Sequence, residues 1–253
     1  MSADGAELTV TILGCSGSYA AAGGACSGYL VRSADATVWL DAGPGTLGEL
    51  QRHCSLGDLD AIVLSHAHPD HWLELPVLAN ALGWYVERSP LAVYANAAVF
   101  TTASLLTGEE SDSGRRVFEW REVDASSAIT IGDQRWAFRP TDHYVPTLAS
   151  RTEVGGRVLA YTADTGPGWS LSDFGAPITT ALCESTFHDR RGNEGVQHLS
   201  AGEAGTMAAA ADVEQLLLTH LSPGEDPAQH HEAARAEFDG KIAVVERGAT
   251  YAA

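Results

Sequence analysis

Three histidines and an aspartate fall within one short string, His66-Ala67-His68-Pro69-Asp70-His71. Neutral imidazole and carboxylate are ligands for zinc and similar divalent ions, and a packed core rarely needs so many of them together. Before the string, residues 59–65 read as a buried strand. After it, residues 72–78 are apolar and open a helix. The string therefore sits at a strand-to-helix turn. His66 and His68 are expected to alternate as strand-end residues, with Asp70 and His71 turning back from the helix start. A histidine-rich surface turn satisfied by water is the alternative, and the strand-turn-helix frame argues against it.

Three later positions repeat the logic. His143 follows a strand ending at Pro140, Asp164 follows an apolar run over 158–162, and His220 ends another over 215–219. Each alone would be an ordinary surface or capping residue. Together, at strand ends of a chain already carrying the histidine string, they form a candidate metal-binding set.

The elements that must position them alternate along the chain. Strands are expected at 8–13, 29–32, 38–41, 91–94, 128–131, 136–140, 148–153, 158–162 and 215–219, with a last strand at 242–246. Helices are expected at 44–53, 97–106, 200–211 and 227–238, and a surface loop at 108–116. Two sheets packed together with helices outside fit this order, in a single domain over 1–253. The chain has 15 Lys+Arg against 33 Asp+Glu, a formal net charge of −18, and Lys241 is its one lysine. That balance opposes stable nucleic-acid binding, because phosphate contacts need clustered cations. No apolar run reaches membrane-spanning length, and no signal peptide is evident. Cys15, Cys26, Cys54 and Cys183 lack CxxC spacing and read as free thiols of a cytoplasmic protein.

The ordered set of the histidine string, a later His, an Asp before Thr-Gly and a last His resembles the metallo-β-lactamase superfamily over 8–246. The resemblance implies an α/β, four-layer αββα sandwich with a dinuclear centre at one edge. It places His66, His68 and His143 on one metal and Asp70, His71 and His220 on the other, with Asp164 bridging. Asp41, in Trp39-Leu40-Asp41-Ala42-Gly43, matches the family aspartate that braces the ligand loop. Zinc is the expected ion, with manganese and iron as alternatives. Two divalent ions ~3.5 Å apart repel by roughly 20 kcal/mol at an effective dielectric of ~20, so anions must lie between them. Asp70, Asp164 and a bridging hydroxide would leave one net positive charge, which suits a phosphodiester.

Cys183-Glu184-Ser185-Thr186 and Gln197-His198-Leu199-Ser200 are similar to the HEAT and HST elements of the ribonuclease Z-like branch. There the Glu orients a His that protonates the leaving oxygen, which makes Asp70, Glu184 and His198 the catalytic candidates. The loop Gly14-Cys15-Ser16-Gly17-Ser18 also matches this branch, and its backbone N–H groups are expected to line the pocket. Residues 50–53, 216–220 and 236–240 look most like bacterial relatives of ribonuclease Z that degrade cyclic nucleotides. The chain departs from ribonuclease Z in lacking a basic inserted arm and a PxKxRN-like loop, and in having Cys183 at the first position of HEAT. The reading is thus a metal-dependent phosphodiesterase acting on a small anionic substrate, most simply a 3′,5′-cyclic nucleotide. The rivals are a tRNA 3′-processing endonuclease, a carboxylic ester, thioester or lactone hydrolase, and a metal-free scaffold. The resemblance also raises the prospect of a homodimer.

Overall fold

The computed structural model describes residues 8–107, 114–175 and 177–253. One seven-stranded sheet contains β1 (Thr9–Gly14), β2 (Gly28–Arg32), β3 (Thr37–Ala42), β4 (Ala61–Val63), β5 (Leu91–Ala95), β6 (Phe118–Glu122) and β14 (Thr250–Ala252), in the order β14-β1-β2-β3-β4-β5-β6. A second contains β7 (Ala128–Ile131), β8 (Gln134–Pro140), β9 (Leu148–Val154), β10 (Arg157–Tyr161), β11 (Thr180–Glu184), β12 (Gln215–Thr219) and β13 (Lys241–Val244), in the order β13-β12-β11-β10-β9-β8-β7. The helices are α1 (Thr46–Leu50), α2 (Leu75–Trp84), α3 (Ala97–Thr107), α4 (Ala201–Ala210) and α5 (Pro227–Arg235).

Alternation along the strands sends side chains to both faces of each sheet. Val10, Ile12, Val38, Leu40, Trp136, Phe138, Leu159, Leu182 and Leu217 fill the layer between the sheets. Leu30, Trp39 and Ile62 face Leu75, Leu78, Leu82 and Val99 of α2 and α3. Ala181, Cys183, Leu216 and Leu218 meet Ala204, Met207 and Ala234 of α4 and α5. Three apolar layers separate helix, sheet, sheet and helix, which is the expected αββα sandwich. Strands β3 to β6 run parallel, as do β10 to β13. Their C-terminal ends open into the loops that carry the candidate residues, where parallel sheets place their sites.

Several boundaries differ from the sequence expectation. Strand β4 stops at Val63, so His66 and His68 sit on a loop rather than alternating on a strand. The run Pro69–His71 is a 3₁₀ turn, and Trp72 ends it with its indole N–H donating to Ala67 O at 3.0 Å. Helix α2 therefore starts only at Leu75, with Pro76 in its first turn. Helix α1 is shorter than expected, since Gly48 at its centre gives it little intrinsic helicity. Strand β6 went unanticipated. The strand over 241–244 is not the last, because β14 follows it. Of the surface loop expected at 108–116, residues 108–113 lie outside the described residues and Gly114–Arg116 form no regular element.

Strand β14 covers the edge of β1 through the pairs Thr9↔Ala252, Val10↔Tyr251 and Thr11↔Thr250. Arg157 Nε donates to Ala253 O at 2.7 Å and so ties this edge to the second sheet. Deleting residues 250–253 exposes β1 and breaks that tie. The expected cost is about 2 kcal/mol, or about 4–8 °C in calorimetric Tm. An unchanged Tm would mean that β1 does not depend on this partner.

Candidate metal centre

Buried carboxylates hold several of the loops that carry the candidate side chains. Asp41, at the end of β3 and fully buried, accepts four hydrogen bonds. Its Oδ1 takes Ser65 N–H at 2.8 Å, and its Oδ2 takes Ser65 Oγ at 2.7 Å, His71 Nδ1 at 2.7 Å and Tyr161 OH at 2.8 Å. Burial and the Asp41 carboxylate hold the Tyr161 phenol far above its usual range, so it stays a donor. Asn96 Nδ2 adds bonds to Ser65 O and Pro146 O, tying the loop of His66 to that of His143.

Hydrogen bonding decides which nitrogen of each ring is left free. His71 gives its Nδ1 proton to Asp41. Ser65 Oγ spends its hydrogen on Asp41 and so accepts from His66 Nδ1 at 3.0 Å. His143 Nδ1 donates to Gln197 O at 3.0 Å. Thr186 Oγ1 donates to Glu184 Oε2 at 2.7 Å and accepts from His220 Nδ1 at 3.0 Å. Four rings therefore turn their Nε2 atoms inward, and His68 brings its Nδ1 to 3.1 Å from Nε2 of both His66 and His143.

These atoms form two half-sites around one carboxylate. Asp164 Oδ2 lies 3.5 Å from His66 Nε2 and 3.7 Å from His143 Nε2. Asp164 Oδ1 lies 3.3 Å from both His71 Nε2 and His220 Nε2, and Asp70 Oδ2 is 3.5 and 3.4 Å from the same two nitrogens. The structure thus brings together all seven residues singled out in the sequence. His71 Nε2, His220 Nε2 and Asp164 Oδ1 are buried without a hydrogen-bond partner. Buried polar atoms left without a hydrogen bond are costly, and a divalent cation is the group that would satisfy them. The donor set of imidazole nitrogens and carboxylate oxygens, within 4.8 Å of one another in each group, fits such an ion.

The electrostatics agree. Burial, reinforced by neighbouring rings, keeps His66, His68 and His143 below the usual imidazole range and hence neutral. Burial works against charge on His71, yet Asp164, Asp41 and Asp70 together raise it well above that range, the mark of a place that favours a cation. Asp70 and Asp164 stay ionised despite burial, because His71 and His220 hold both below the usual carboxylate range.

Glu184 and His198 stand beside these half-sites. Glu184 is fully buried and accepts from His198 Nδ1 at 3.0 Å, Thr165 N at 2.7 Å and Leu199 N at 3.1 Å, besides Thr186. The His198 ring stacks on His220 with centroids 5.4 Å apart. Burial disfavours its charged form, but Glu184 more than offsets this and raises it to about 9. Cys183, where the family pattern has a histidine, is buried in the apolar layer under α4.

Backbone strain gathers here. Of the five non-glycine residues with positive φ among those described, Asp41, Ala163, His220 and Ser18 lie in or beside the site. The loop from Gly14 to Ser18 contributes less than expected. Ser18 N–H alone reaches the site, donating to Asp70 Oδ2 at 2.9 Å, whereas the N–H groups of Cys15, Ser16 and Gly17 bond backbone carbonyls. A Cβ on Gly17 would meet the His220 ring at 2.7 Å, so the loop fits only with glycine there.

Sequence reasoning missed Arg190. Its guanidinium binds the carbonyls of Asn193, Val196 and His198 and pairs with Glu203, which also caps Ser200 N at 2.8 Å. The clue was the capping pair Ser200 and Glu203, whose remaining carboxylate capacity calls for a cation.

Asp41 gives the site its sharpest test. Asp41→Asn cannot accept all four donors, so the His71 tautomer is no longer enforced. Affinity for zinc, measured by competition with a chelator, should fall about 10–100-fold. Asp41→Ala should cost about 3–5 kcal/mol of stability in denaturant titrations, since it strands buried donors. Unchanged zinc affinity in Asp41→Asn would remove it from the support of the centre.

Among known proteins, the family described as Beta-lactamase superfamily domain matches residues 36–221. An uncharacterized protein of Mycobacterium leprae is 33% identical, covering 96% of this chain and 88% of its own. The probable metallo-hydrolase YhfI of Bacillus subtilis is 29% identical over 95% of this chain and 98% of its own. The crystal structure of YhfI, a metallo-beta-lactamase fold protein, superposes with a TM-score of 0.87 at 27% identity, covering 98% of this chain and all of the other. Ribonuclease Z of Methanopyrus kandleri is 28% identical over 92% of this chain and 93% of its own. With this fold and this cluster of His and Asp, the chain belongs to the metallo-β-lactamase superfamily and is a metal-dependent hydrolase.

Proposed function

We propose that the chain, acting as one domain over 1–253, hydrolyses a small phosphodiester, and that a 3′,5′-cyclic nucleotide is the substrate class. The observation that carries this reading is the Glu184–His198 pair, placed beside both half-sites with His198 Nδ1 committed to Glu184 at 3.0 Å. That commitment leaves Nε2 to carry a proton toward a departing oxygen. An alkoxide leaving a phosphodiester needs that proton, whereas hydrolysis of a thioester or lactone on the same metals would not require the pair.

His66, His68 and His143 would hold one divalent ion and Asp70, His71 and His220 the other, with Asp164 giving one oxygen to each. Zinc suits these donors, and manganese or iron would also. Bound there, the ions supply Lewis-acid activation and neutralise charge on the phosphoryl oxygens. His198 protonates the leaving oxygen. Glu184 fixes its ring, and through Thr186 it fixes His220 as well. Arg190 holds the His198 carbonyl, so the donor is oriented from both backbone and side chain. Asp70, pinned by Ser18 N–H, keeps its Oδ2 aimed at the second half-site.

The charge balance separates the substrates. At −18, with Lys241 as the one lysine, the chain offers little to the polyanionic body of a tRNA. A small phosphodiester needs only the local field of the centre. A second copy of the chain would complete the assembly as a homodimer.

His198→Ala should keep its metal content and lower kcat on cyclic AMP by about 10²–10⁴-fold. On bis-p-nitrophenyl phosphate the loss should be far smaller, because that leaving group needs little protonation. Equal losses on both would make His198 a phosphate-binding residue, and loss of metal would make it a ligand or support. In the same assays the wild type should leave precursor tRNA uncut. Accurate 3′ cleavage of precursor tRNA at physiological salt would restore the endonuclease reading.

A further inference from the structure

Large apolar side chains are strongly exposed at nine positions among the described residues. Seven of these lie between Leu73 and Leu106, on α2, α3 and their flanks. The other two, Tyr19 and Tyr144, are on the loops that build the centre, and they adjoin opposite half-sites. Tyr144 follows His143. Tyr19 follows Ser18, whose N–H holds Asp70 Oδ2 at 2.9 Å.

Neither position is a free loop tip. Tyr144 is 59% exposed, yet its hydroxyl accepts Gln197 N–H at 2.9 Å and its ring packs against His143 at 5.3 Å with an interplanar angle of 61°. Gln197 in turn binds His143 Nδ1 through its carbonyl and Asp142 Oδ1 through its amide at 3.0 Å. Next in the chain is His198. The ring of Tyr144 is therefore fixed against a candidate ligand and the residue before the proton donor, while most of its surface stays in contact with water. Tyr19 is 63% exposed, and its backbone is bound to Gly17 O at 2.7 Å, in a segment whose Gly17 N–H is anchored on Leu221 O.

An ordered aromatic ring left in water at a site mouth gains nothing for folding, but it is already organised to stack a planar ligand. The neutral π-face of a base is also insensitive to the acidic surface, whereas a second anionic contact would be repelled by it. We propose that Tyr144, with Tyr19 on the loop beside the other half-site, walls a subsite for a planar heteroaromatic group of the nucleobase class. This deepens the phosphodiester reading and rests on it for the position of the phosphate.

The test compares adenosine 5′-monophosphate with ribose 5-phosphate, which share sugar and phosphate and differ by the base. Both are titrated calorimetrically into zinc-loaded protein. Wild type should bind the nucleotide about 5- to 150-fold more tightly, the usual worth of one stacked base. Tyr144→Ala should lose most of that margin while ribose 5-phosphate binds as before, and Tyr144→Phe should keep most of it. Tyr19→Ala should lose a smaller part. Unchanged zinc content in each variant checks that the centre is intact. Equal wild-type affinity for the two ligands, no measurable binding of either, or equal loss of both in Tyr144→Ala would overturn the subsite. Hydrolysis of bis-p-nitrophenyl phosphate is measured alongside. Its absence with the margin intact would count against the phosphodiesterase reading and leave the subsite standing, and its presence without the margin would do the reverse.

Discussion

Five imidazole nitrogens and the oxygens of Asp70 and Asp164 converge in a pocket that is closed to water over most of its wall. Such groups together favour a cation, and the surrounding structure is arranged to hold them there. The cost of that convergence is met by the two sheets, whose apolar layers fix the strand ends from which every loop of the site departs. A pocket built this way is strained before anything binds, and the positive φ values of Asp41, Ala163 and His220 are its backbone signature.

Two buried carboxylates do the orienting. Asp41 works from the first sheet, setting the tautomer of His71 and, through Ser65, that of His66. Glu184 works from the second, setting His198 directly and His220 through Thr186. Each accepts four hydrogen bonds, which is what makes a fully buried carboxylate tolerable. The division of labour follows the architecture, because each sheet supplies its own brace and Asp164 joins the two halves. A change at either brace acts on several rings at once, so effects of substitutions within one network should not be additive.

The chemistry of the site was legible in the sequence because its residue types are rare together and each follows an apolar run. His66, His68, Asp70, His71, His143, Asp164 and His220 needed no three-dimensional information to be singled out. The fold class was legible for the same reason, since strand and helix periodicities alternate along the chain. What escaped was whatever depends on partners distant in sequence. The short β14 carries little pattern of its own and exists through pairing with β1. Phe118-Glu119-Trp120-Arg121-Glu122 alternates weakly and becomes β6 because β5 offers an edge. Arg190 carries no signal of its own in the sequence, and its role comes from carbonyls presented by a loop that only the fold closes. The placement of His66 and His68 on a loop rather than a strand reflects Asp41, which draws Ser65 out of the sheet.

On the proposed function, the convergence around Asp164 would hold two divalent ions, one with His66, His68 and His143 and one with Asp70, His71 and His220. Titration of zinc or manganese into chelator-stripped protein, with elemental analysis after dialysis, addresses this directly. Two equivalents per chain are expected for the wild type, and fewer for Asp164→Ala. A hydrolytically active wild-type protein that saturates at one equivalent would contradict the proposed paired centre.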